Sequence, residues 1–308
     1  MAGSNHIQAP WNFLGLPEEL ATAGRAQAWV LPIPYEATVS YGTGTRGGPG
    51  AIIAASRQVE LFDHEFGCEP CAQFGVHTLS PLTPLDQSPA AMMKVVEQTV
   101  AGILGGSPAP AVLAVLGGEH SISAGVARGL ARAQGADNLV AVQIDAHADL
   151  RAEYEGSPFS HACAARRIVE TCPVFQIGIR SLSAGEDQFR RESNRVTTVF
   201  AEELAAGTAY RDALAGFVRG KNVFLTIDLD GLDPSIMPAV GTPEPGGLTW
   251  SDLLEMVRVI GREAARVPVF DVVELAPIPG LNAPDFLAAK LVYKIMSHVL
   301  GNRKGFSP

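Results

Sequence analysis

Cysteine, basic residues and long apolar runs are all scarce in this sequence. Four cysteines among 308 residues are too few for a disulfide framework, so we expect reduced thiols. No uninterrupted run of about 18 apolar residues is present, which argues against a membrane span. The first residues lack the basic and apolar segments of a secretion signal. These absences predict a cytoplasmic protein without a membrane partner.

Charge and composition narrow the class of protein further. The chain has 23 lysines and arginines against 32 aspartates and glutamates, a net charge of −9, so a nucleic-acid partner is not expected. Because 47% of the residues are hydrophobic and 18% are charged, the chain is expected to fold around a core. The 32 glycines and 22 prolines predict many turns and argue against a helix bundle.

Short apolar runs alternate with amphipathic segments along nearly the whole chain. Apolar runs of this length are typical of strands buried on both faces. The predicted strands are 29–33, 111–116, 139–144, 174–179, 223–227 and 267–273. Strands that alternate with helices predict an α/β fold with a mainly parallel sheet, open or closed into a barrel. In both forms, ligands bind beyond the carboxyl ends of the strands.

Helix boundaries and domain limits are also indicated by the sequence. The capping signals are Ser88 with Pro89 at one start, Gly135 at one end, and Thr249 with Asp252 as a capping box. Residues 67–86 are rich in turn formers and are predicted to form a long loop. We interpret residues 1–308 as one domain, with about residues 1–24 as an N-terminal extension.

Metal-ligating side chains follow three of the predicted strands, where each strand ends. Alternate residues of an extended segment point to the same side, so a spacing of two brings the side chains together. The residues are Asp145, His147 and Asp149 after one strand, Asp228 and Asp230 after another, and His120 after a third. An aspartate at a strand end is commonly a turn or cap residue, but caps do not require histidine between two aspartates.

Four aspartates at one edge of a sheet need compensating positive charge. Buried carboxylates repel one another and are costly to desolvate, and two divalent ions would balance four aspartates. Oxygen ligands with some imidazole and no thiolate favour Mn²⁺. Fe²⁺, Co²⁺ and Zn²⁺ are weaker alternatives, and the histidines disfavour Mg²⁺. The pattern therefore predicts two Mn²⁺ ions per chain.

These segments resemble a known enzyme family, the ureohydrolases, which include arginases and agmatinases. The matching motifs are Gly-Gly-Glu-His at 117–120, Asp-Ala-His-Ala-Asp at 145–149 and Asp-Leu-Asp-Gly-Leu-Asp-Pro at 228–234. The resemblance extends from Tyr35 through the final helix. It implies a three-layer α/β/α fold around a mainly parallel eight-stranded sheet, two Mn²⁺ ions bridged by water or hydroxide, and a homo-oligomer, either a trimer or a hexamer.

The resemblance also implies roles for individual residues. It assigns His120, Asp145, Asp149 and Asp228 to one metal ion, and Asp145, His147, Asp228 and Asp230 to the other. His161 is expected to handle protons, Glu274 to bind the guanidinium group of the substrate, and Asp149 to assist proton transfer to the departing amine. Glu274 follows the strand 267–273, so it is expected at the same edge as the ligands.

The loop after the second motif indicates the substrate. Arginases carry an asparagine two residues beyond this motif, where the present sequence has Arg151. The loop also carries Glu153 and Glu155, whose negative charge favours a substrate with a cationic amine at its far end. We expect agmatine, hydrolysed to urea and putrescine, with Arg151, Glu153 and Glu155 as substrate contacts.

Several alternatives stay open at this point. Arg151 is also compatible with a carboxylate substrate such as guanidinobutyrate or arginine. A zinc-dependent deacetylase of similar architecture and a metal-binding protein without activity are further alternatives. Gly42, Gly44 and Gly47 match a dinucleotide-binding pattern but stand far from the preceding strand, so a glycine-rich loop at the mouth of the site is favoured. Cys68 and Cys71 are interpreted as free thiols in a loop.

Overall fold

Eight strands of the described chain form one sheet, in which every neighbouring pair is parallel. The computed structural model describes residues 11–83, 88–205, 207–304 and 306. The strands are β1 (Ala28–Ile33), β2 (Val76–Thr78), β3 (Val112–Gly117), β4 (Leu139–Ile144), β5 (Val174–Ile179), β6 (Val196–Phe200), β7 (Asn222–Asp228) and β8 (Arg266–Val273). Their order across the sheet is β2-β1-β3-β8-β7-β4-β5-β6. The prediction of a mainly parallel sheet is confirmed.

Helices cover both faces of this sheet. The helices are α1 (Glu18–Ala21), α2 (Gly48–Ser56), α3 (Pro70–Phe74), α4 (Pro89–Leu104), α5 (Ile122–Gln134), α6 (Ala164–Thr171), α7 (Ala184–Glu192), α8 (Ala201–Ala205), α9 (Ala209–Val218), α10 (Trp250–Glu263) and α11 (Ala283–Lys304). One buried core joins α2, α9, α10 and α11 to alternate strand residues such as Val112 and Ala114, and a second joins α4, α5 and α6 to Leu113 and Val115. This alternation produces the expected three layers.

The predicted helix caps are present in the structure. Ser88 accepts a hydrogen bond from the backbone N–H of Ala91 at the start of α4. Thr249 and Asp252 form a capping box at the start of α10, and Gly135 caps the end of α5. These are local interactions, which explains why the sequence predicted them.

Both edge strands escaped prediction. Within the described residues, β2 has three residues and pairs with β1 alone, whereas β6 carries two threonines and is mostly half-buried. An edge strand lacks the continuous apolar pattern of a central strand, because one of its neighbours is solvent. The prediction that residues 67–86 form one long loop was wrong, because α3 and β2 lie within them. Residues 84–87 lie outside the described ranges.

The N-terminal segment and the cysteines are packed against the sheet domain. Phe13 and Leu16 are buried in the core that contains α2, so the described part of the predicted extension is held in place by apolar packing. Cys71 lies in α3 rather than in a loop, and both Cys68 and Cys71 are buried free thiols. Burial raises the pKa of the Cys71 thiol, the opposite of what a reactive thiolate requires. Among the described helices, none is long and apolar enough to cross a membrane.

Candidate metal centre

The predicted ligands meet where four adjacent central strands end. β3, β8, β7 and β4 are neighbours in the sheet, and the chain leaves each of them at the same edge. His120 follows β3, Glu274 follows β8, Asp228 ends β7, and Asp145 follows β4. The parallel arrangement thereby brings together residues that are far apart in the sequence.

His120 lies at the centre of the buried half of this site. Its Nδ1 atom is 3.2 Å from Asp145 Oδ2, 3.1 Å from Asp149 Oδ2 and 3.2 Å from Asp228 Oδ2. This nitrogen is buried and has no hydrogen-bond partner that satisfies the geometry, whereas Nε2 lies 3.0 Å from the hydroxyl of Thr226. A ring oriented by its second nitrogen, with the first directed at three carboxylates, is typical of a metal ligand.

His147 and Asp230 form the more accessible half. His147 Nδ1 is 2.8 Å from Asp230 Oδ2 and 3.8 Å from Asp145 Oδ1, and the His147 side chain is 25% exposed. Two groups of ligand atoms are close enough to hold a metal ion: His120 with Asp145 and Asp149, and Asp145 with His147 and Asp230. Asp145 belongs to both groups, which fits a bridging position between two ions.

Among the described residues, histidine is the only basic side chain that pairs with the carboxylates of this site. Burial, together with the charges of Asp230 and Asp149, raises the pKa of Asp145 to about 7, and burial next to the same cluster raises the pKa of Asp228. Burial opposes protonation of His147, but the hydrogen bond and charge of Asp230 prevail and raise its pKa to about 10. The histidine in turn outweighs burial at Asp230 and lowers the pKa of that carboxyl. Burial and the mutual repulsion of the carboxylates therefore favour the binding of positive charge at this site.

Polar side chains that the sequence did not single out support the ligands. Gln143 donates a hydrogen bond of 2.7 Å to Asp145, and Gln176 donates one of 2.7 Å to Gln143. Arg180 donates to the backbone carbonyls of Asp230 and Glu244, which fixes the two loops beside the site. A polar residue inside an otherwise apolar strand, as in β4 and β5, is the signal that identifies the two glutamines.

Glu274 and Asp149 have strained backbones. Their φ angles are 67° and 52°, a region that side-chain-bearing residues rarely adopt. Glu274 accepts a hydrogen bond of 2.6 Å from the backbone N–H of His120, and both strained residues line the same cavity. Burial, and secondarily the charge of Glu119, raises the pKa of Glu274 well above its usual range. Strain of this kind is retained where function requires a particular side-chain position.

The cavity above the ligands measures about 240 Å³. His161 and Arg151 line it, as do Tyr41 and Gly42 of the glycine-rich loop. A Cβ atom on Gly42 would lie 2.7 Å from the carbonyl oxygen of Gly241, so only glycine permits this close approach of two loops. The structure therefore brings His161 and five of the six predicted ligands to one opening, with the glycine-rich loop at its mouth and the sixth ligand, Asp145, buried beneath it.

The three predicted loop contacts differ in position. Arg151 Nε lies 3.7 Å from Glu186 Oε2, and the Arg151 guanidinium carbon lies 5.1 Å from the centre of the Tyr154 ring. Glu153 and Glu155 are exposed, and neither is among the residues that line the cavity. Their role in substrate binding stays a prediction, and any such role would act over a distance or through water.

Comparisons with known proteins agree with this geometry. A model of the arginase family matches residues 26–298. The chain belongs to the arginase family. Its sequence is 39% identical to the N(1)-aminopropylagmatine ureohydrolase of Synechocystis sp., covering 91% of this chain and 92% of that protein. It is 31% identical to the agmatinase of Halalkalibacterium halodurans, and the match covers 88% of this chain and 92% of that protein.

Solved structures of the arginase family have the same fold. The agmatine ureohydrolase of Thermoplasma volcanium superposes with a TM-score of 0.80 at 26% identity and covers 97% of both chains. An arginase from Medicago truncatula superposes with a TM-score of 0.77 at 25% identity, covering 89% of this chain. The predicted arginase-like fold is confirmed, and the chain is a ureohydrolase-type amidinohydrolase with a candidate metal site.

Proposed function

We propose that this protein hydrolyses the guanidinium group of agmatine to urea and putrescine. The observation that carries the proposal is the joint position of the paired ligand groups and Glu274 at one cavity. Glu274 is a buried carboxylate without a positive partner among its described contacts, and a guanidinium group would supply that charge and two hydrogen bonds in one plane. A zinc deacetylase and a protein without activity are the rival functions that a urea assay tests.

The residues present fit two divalent ions. His120 Nδ1 is buried without a hydrogen bond and faces three carboxylates, and burial, together with neighbouring carboxylates, raises the pKa values of Asp145 and Asp228. His120, Asp145, Asp149 and Asp228 would hold one ion, and Asp145, His147, Asp228 and Asp230 the other. Two bound ions would lower the pKa of a shared water towards ~7 and stabilise negative charge near the guanidinium carbon. Oxygen-rich ligation without thiolate favours Mn²⁺.

The chain's own residues would orient the substrate and move its protons. Glu274 holds the guanidinium plane, since its backbone N–H donates to the carbonyl of Gly118 and its carboxylate accepts the backbone N–H of His120. Asp149 lines the same cavity and would assist proton transfer to the departing amine. His161 lines the same cavity and exchanges protons with solvent.

N(1)-aminopropylagmatine is the second candidate substrate. The most similar relative named above is a ureohydrolase for this compound, and the match covers nine-tenths of both chains. The compound carries a longer cationic tail than agmatine, and the cavity opens to solvent beside the exposed Tyr41. A tail that extends past this opening would not alter the geometry at the guanidinium end.

A substrate panel tests the proposal. Urea release would be measured with Mn²⁺-loaded protein and matched low concentrations of agmatine, N(1)-aminopropylagmatine, arginine and guanidinobutyrate. We expect agmatine to exceed arginine by ~100-fold or more in kcat/KM. The Glu274→Gln variant should lose activity on all four, and Asp212→Asn, an exposed carboxylate on α9, should retain it. Faster turnover of arginine or guanidinobutyrate would contradict the assignment, as would absence of urea from all four.

Two further properties implied by the family resemblance belong to this proposal. We propose that the chain assembles as a homo-oligomer, a trimer or a hexamer, and acts in the cytoplasm. Exposed apolar side chains, such as Phe62 and Phe286, would be covered in such an assembly. Light scattering coupled to gel filtration tests the assembly, and cell fractionation tests the location.

A further inference from the structure

Glu119 is a buried carboxylate that the proposed chemistry leaves without a role. It follows Gly118, a position where only glycine fits, because a Cβ atom there would lie 2.0 Å from the carbonyl oxygen of Tyr35. This approach places Glu119 against the loop that follows β1. The carboxylate is fully shielded from solvent, and four donor groups surround it.

Three of those four donors belong to the loop after β1. Glu119 Oε2 accepts the backbone N–H groups of Ala37 and Thr38, each at 2.6 Å. Glu119 Oε1 accepts the hydroxyl of Thr38 at 2.8 Å and that of Ser121 at 2.5 Å. A carboxylate that receives this many donors fixes both the position of Thr38 and the direction in which its hydroxyl proton points.

Thr38 connects this carboxylate to His161. The single hydroxyl proton of Thr38 is directed at Glu119, so its oxygen can only accept hydrogen bonds from other groups. That oxygen accepts the backbone N–H of His161 at 3.0 Å and lies 3.2 Å from the Nδ1 atom of the imidazole. An accepting oxygen at this distance is attracted to Nδ1 only if Nδ1 carries a proton.

We propose that Glu119, acting through Thr38, fixes His161 in the tautomer that carries its proton on Nδ1. The Nε2 lone pair of the neutral ring is then free to take a proton in the cavity that His161 lines. Glu119 and Thr38 are positioning residues in this account, because neither touches the reacting atoms. The catalytic consequence rests on the proposed function, whereas the tautomer itself does not.

The tautomer can be read directly by NMR of protein labelled with nitrogen-15 histidine. The full chain would be loaded with Zn²⁺, which is diamagnetic, and studied at alkaline pH, where ordinary histidines are neutral. A spectrum of His161→Gln identifies the His161 signals among the seven histidines. We expect a protonated Nδ1 and an unprotonated Nε2 in the unaltered protein. Thr38→Val should shift the population towards a proton on Nε2, and Thr38→Ser should restore the original signals.

Ser160 provides the matched control, because its hydroxyl also lies near Nδ1, at 3.3 Å. Ser160→Ala should leave the tautomer unchanged, since Thr38 remains. In assays of urea release, Thr38→Val should lower kcat by ~10- to 100-fold with little change in KM. Thr38→Ser, which keeps the hydroxyl group, should retain most of the original kcat. Bound metal per chain should be equal in all variants.

Two results would overturn the proposal. One is a His161 that carries its proton on Nε2 in the unaltered protein. The other is a tautomer that responds to Ser160→Ala but not to Thr38→Val. If the unaltered protein released no urea from any guanidine, the proposed function would fail, and the NMR comparison would still decide the tautomer.

Discussion

Two clusters of charged residues, one mostly buried and one partly open to solvent, differ in whether the chain supplies its own positive charges. The first, the acidic centre, contains Asp145, Asp149, Asp228 and Asp230 with His120 and His147. The second, the α11 ion cluster, contains Asp63 and Glu65 with Arg258 and Lys294. Lys294 Nζ lies 2.8 Å from Asp63 and 2.6 Å from Glu65, and Arg258 donates two hydrogen bonds to Glu65. Acidic and basic groups are therefore matched in the second cluster.

The pKa shifts of Glu65 in the α11 ion cluster and of Asp145 in the acidic centre have opposite signs. Hydrogen bonds from Arg258 and Lys294 lower the pKa of Glu65 to about 2, so the α11 ion cluster is balanced by side chains alone. Burial and neighbouring carboxylates raise the pKa of Asp145 to about 7. A cluster that stabilises the fold brings its own cations, whereas a centre that binds metal ions leaves that charge to be supplied from outside.

Removing one carboxylate from the acidic centre should produce the largest loss of activity among these variants. Asp228→Asn takes away a carboxylate that the proposed centre assigns to both ions, so metal occupancy should fall and kcat should drop by ~100-fold or more. Elemental analysis and urea release with added Mn²⁺ measure the two effects. Asp212→Asn is the matched control on the surface. One tightly held zinc per chain with no response to manganese would contradict a two-ion centre.

Removing the cation of the α11 ion cluster should damage stability and spare activity. Lys294→Met leaves Asp63 buried without its partner, which should lower the free energy of unfolding by ~3–5 kcal/mol. Urea release per folded molecule should stay unchanged. Denaturant titration measures the loss, with Lys290→Met, a more accessible lysine on the same helix, as the control. A loss of metal binding in Lys294→Met would show that the two clusters are not independent.

The acidic centre should also make metal-free protein sensitive to alkali. The pKa of His147 is about 10 in the folded chain against about 6.5 unfolded, so the folded state binds the proton more strongly. Its stabilising contribution is complete below pH ~6.5 and is lost as pH rises towards ~10. Thermal unfolding in chelator should therefore show a falling Tm across this range.

Two comparisons separate this effect from general alkaline unfolding. His147→Asn should flatten the dependence of Tm on pH in metal-free protein. Metal-loaded protein should gain stability relative to metal-free protein as pH rises, because deprotonated ligands bind the ions more tightly. A Tm of metal-free protein that rises between pH 6.5 and pH 9 would contradict the expected sign.

Neutralising the exposed carboxylates of the loop should have the smallest effect on activity. Glu153→Gln and Glu155→Gln should each raise the KM for agmatine by less than ~5-fold, because solvent and salt screen exposed carboxylates. Guanidinobutyrate, which lacks a terminal amine, should be affected less. Initial rates at two salt concentrations measure the difference. A loss as large as that of Asp228→Asn would mean that the loop closes over the substrate and buries these charges.

Local sequence patterns were enough to predict the central strands and the candidate ligands that follow them. Strand β4 and the alternating residues Asp145, His147 and Asp149 are a local pattern, in which periodicity fixes both the strand and the side to which its last residues point. Their functional meaning came from three motifs that resemble one family, and a family model matching residues 26–298 confirmed it.

The distant groups that support these candidate ligands became visible in the three-dimensional arrangement of the chain. Gln143 meets Gln176 across two strands, Arg151 pairs with Glu186, and Thr38 joins Glu119 to His161 over more than eighty residues. None of these contacts leaves a periodic signal, because each depends on strand order and loop approach rather than on neighbouring residues. The edge strands β2 and β6 escaped prediction for a related reason, since pairing with one neighbour rather than an apolar pattern defines them.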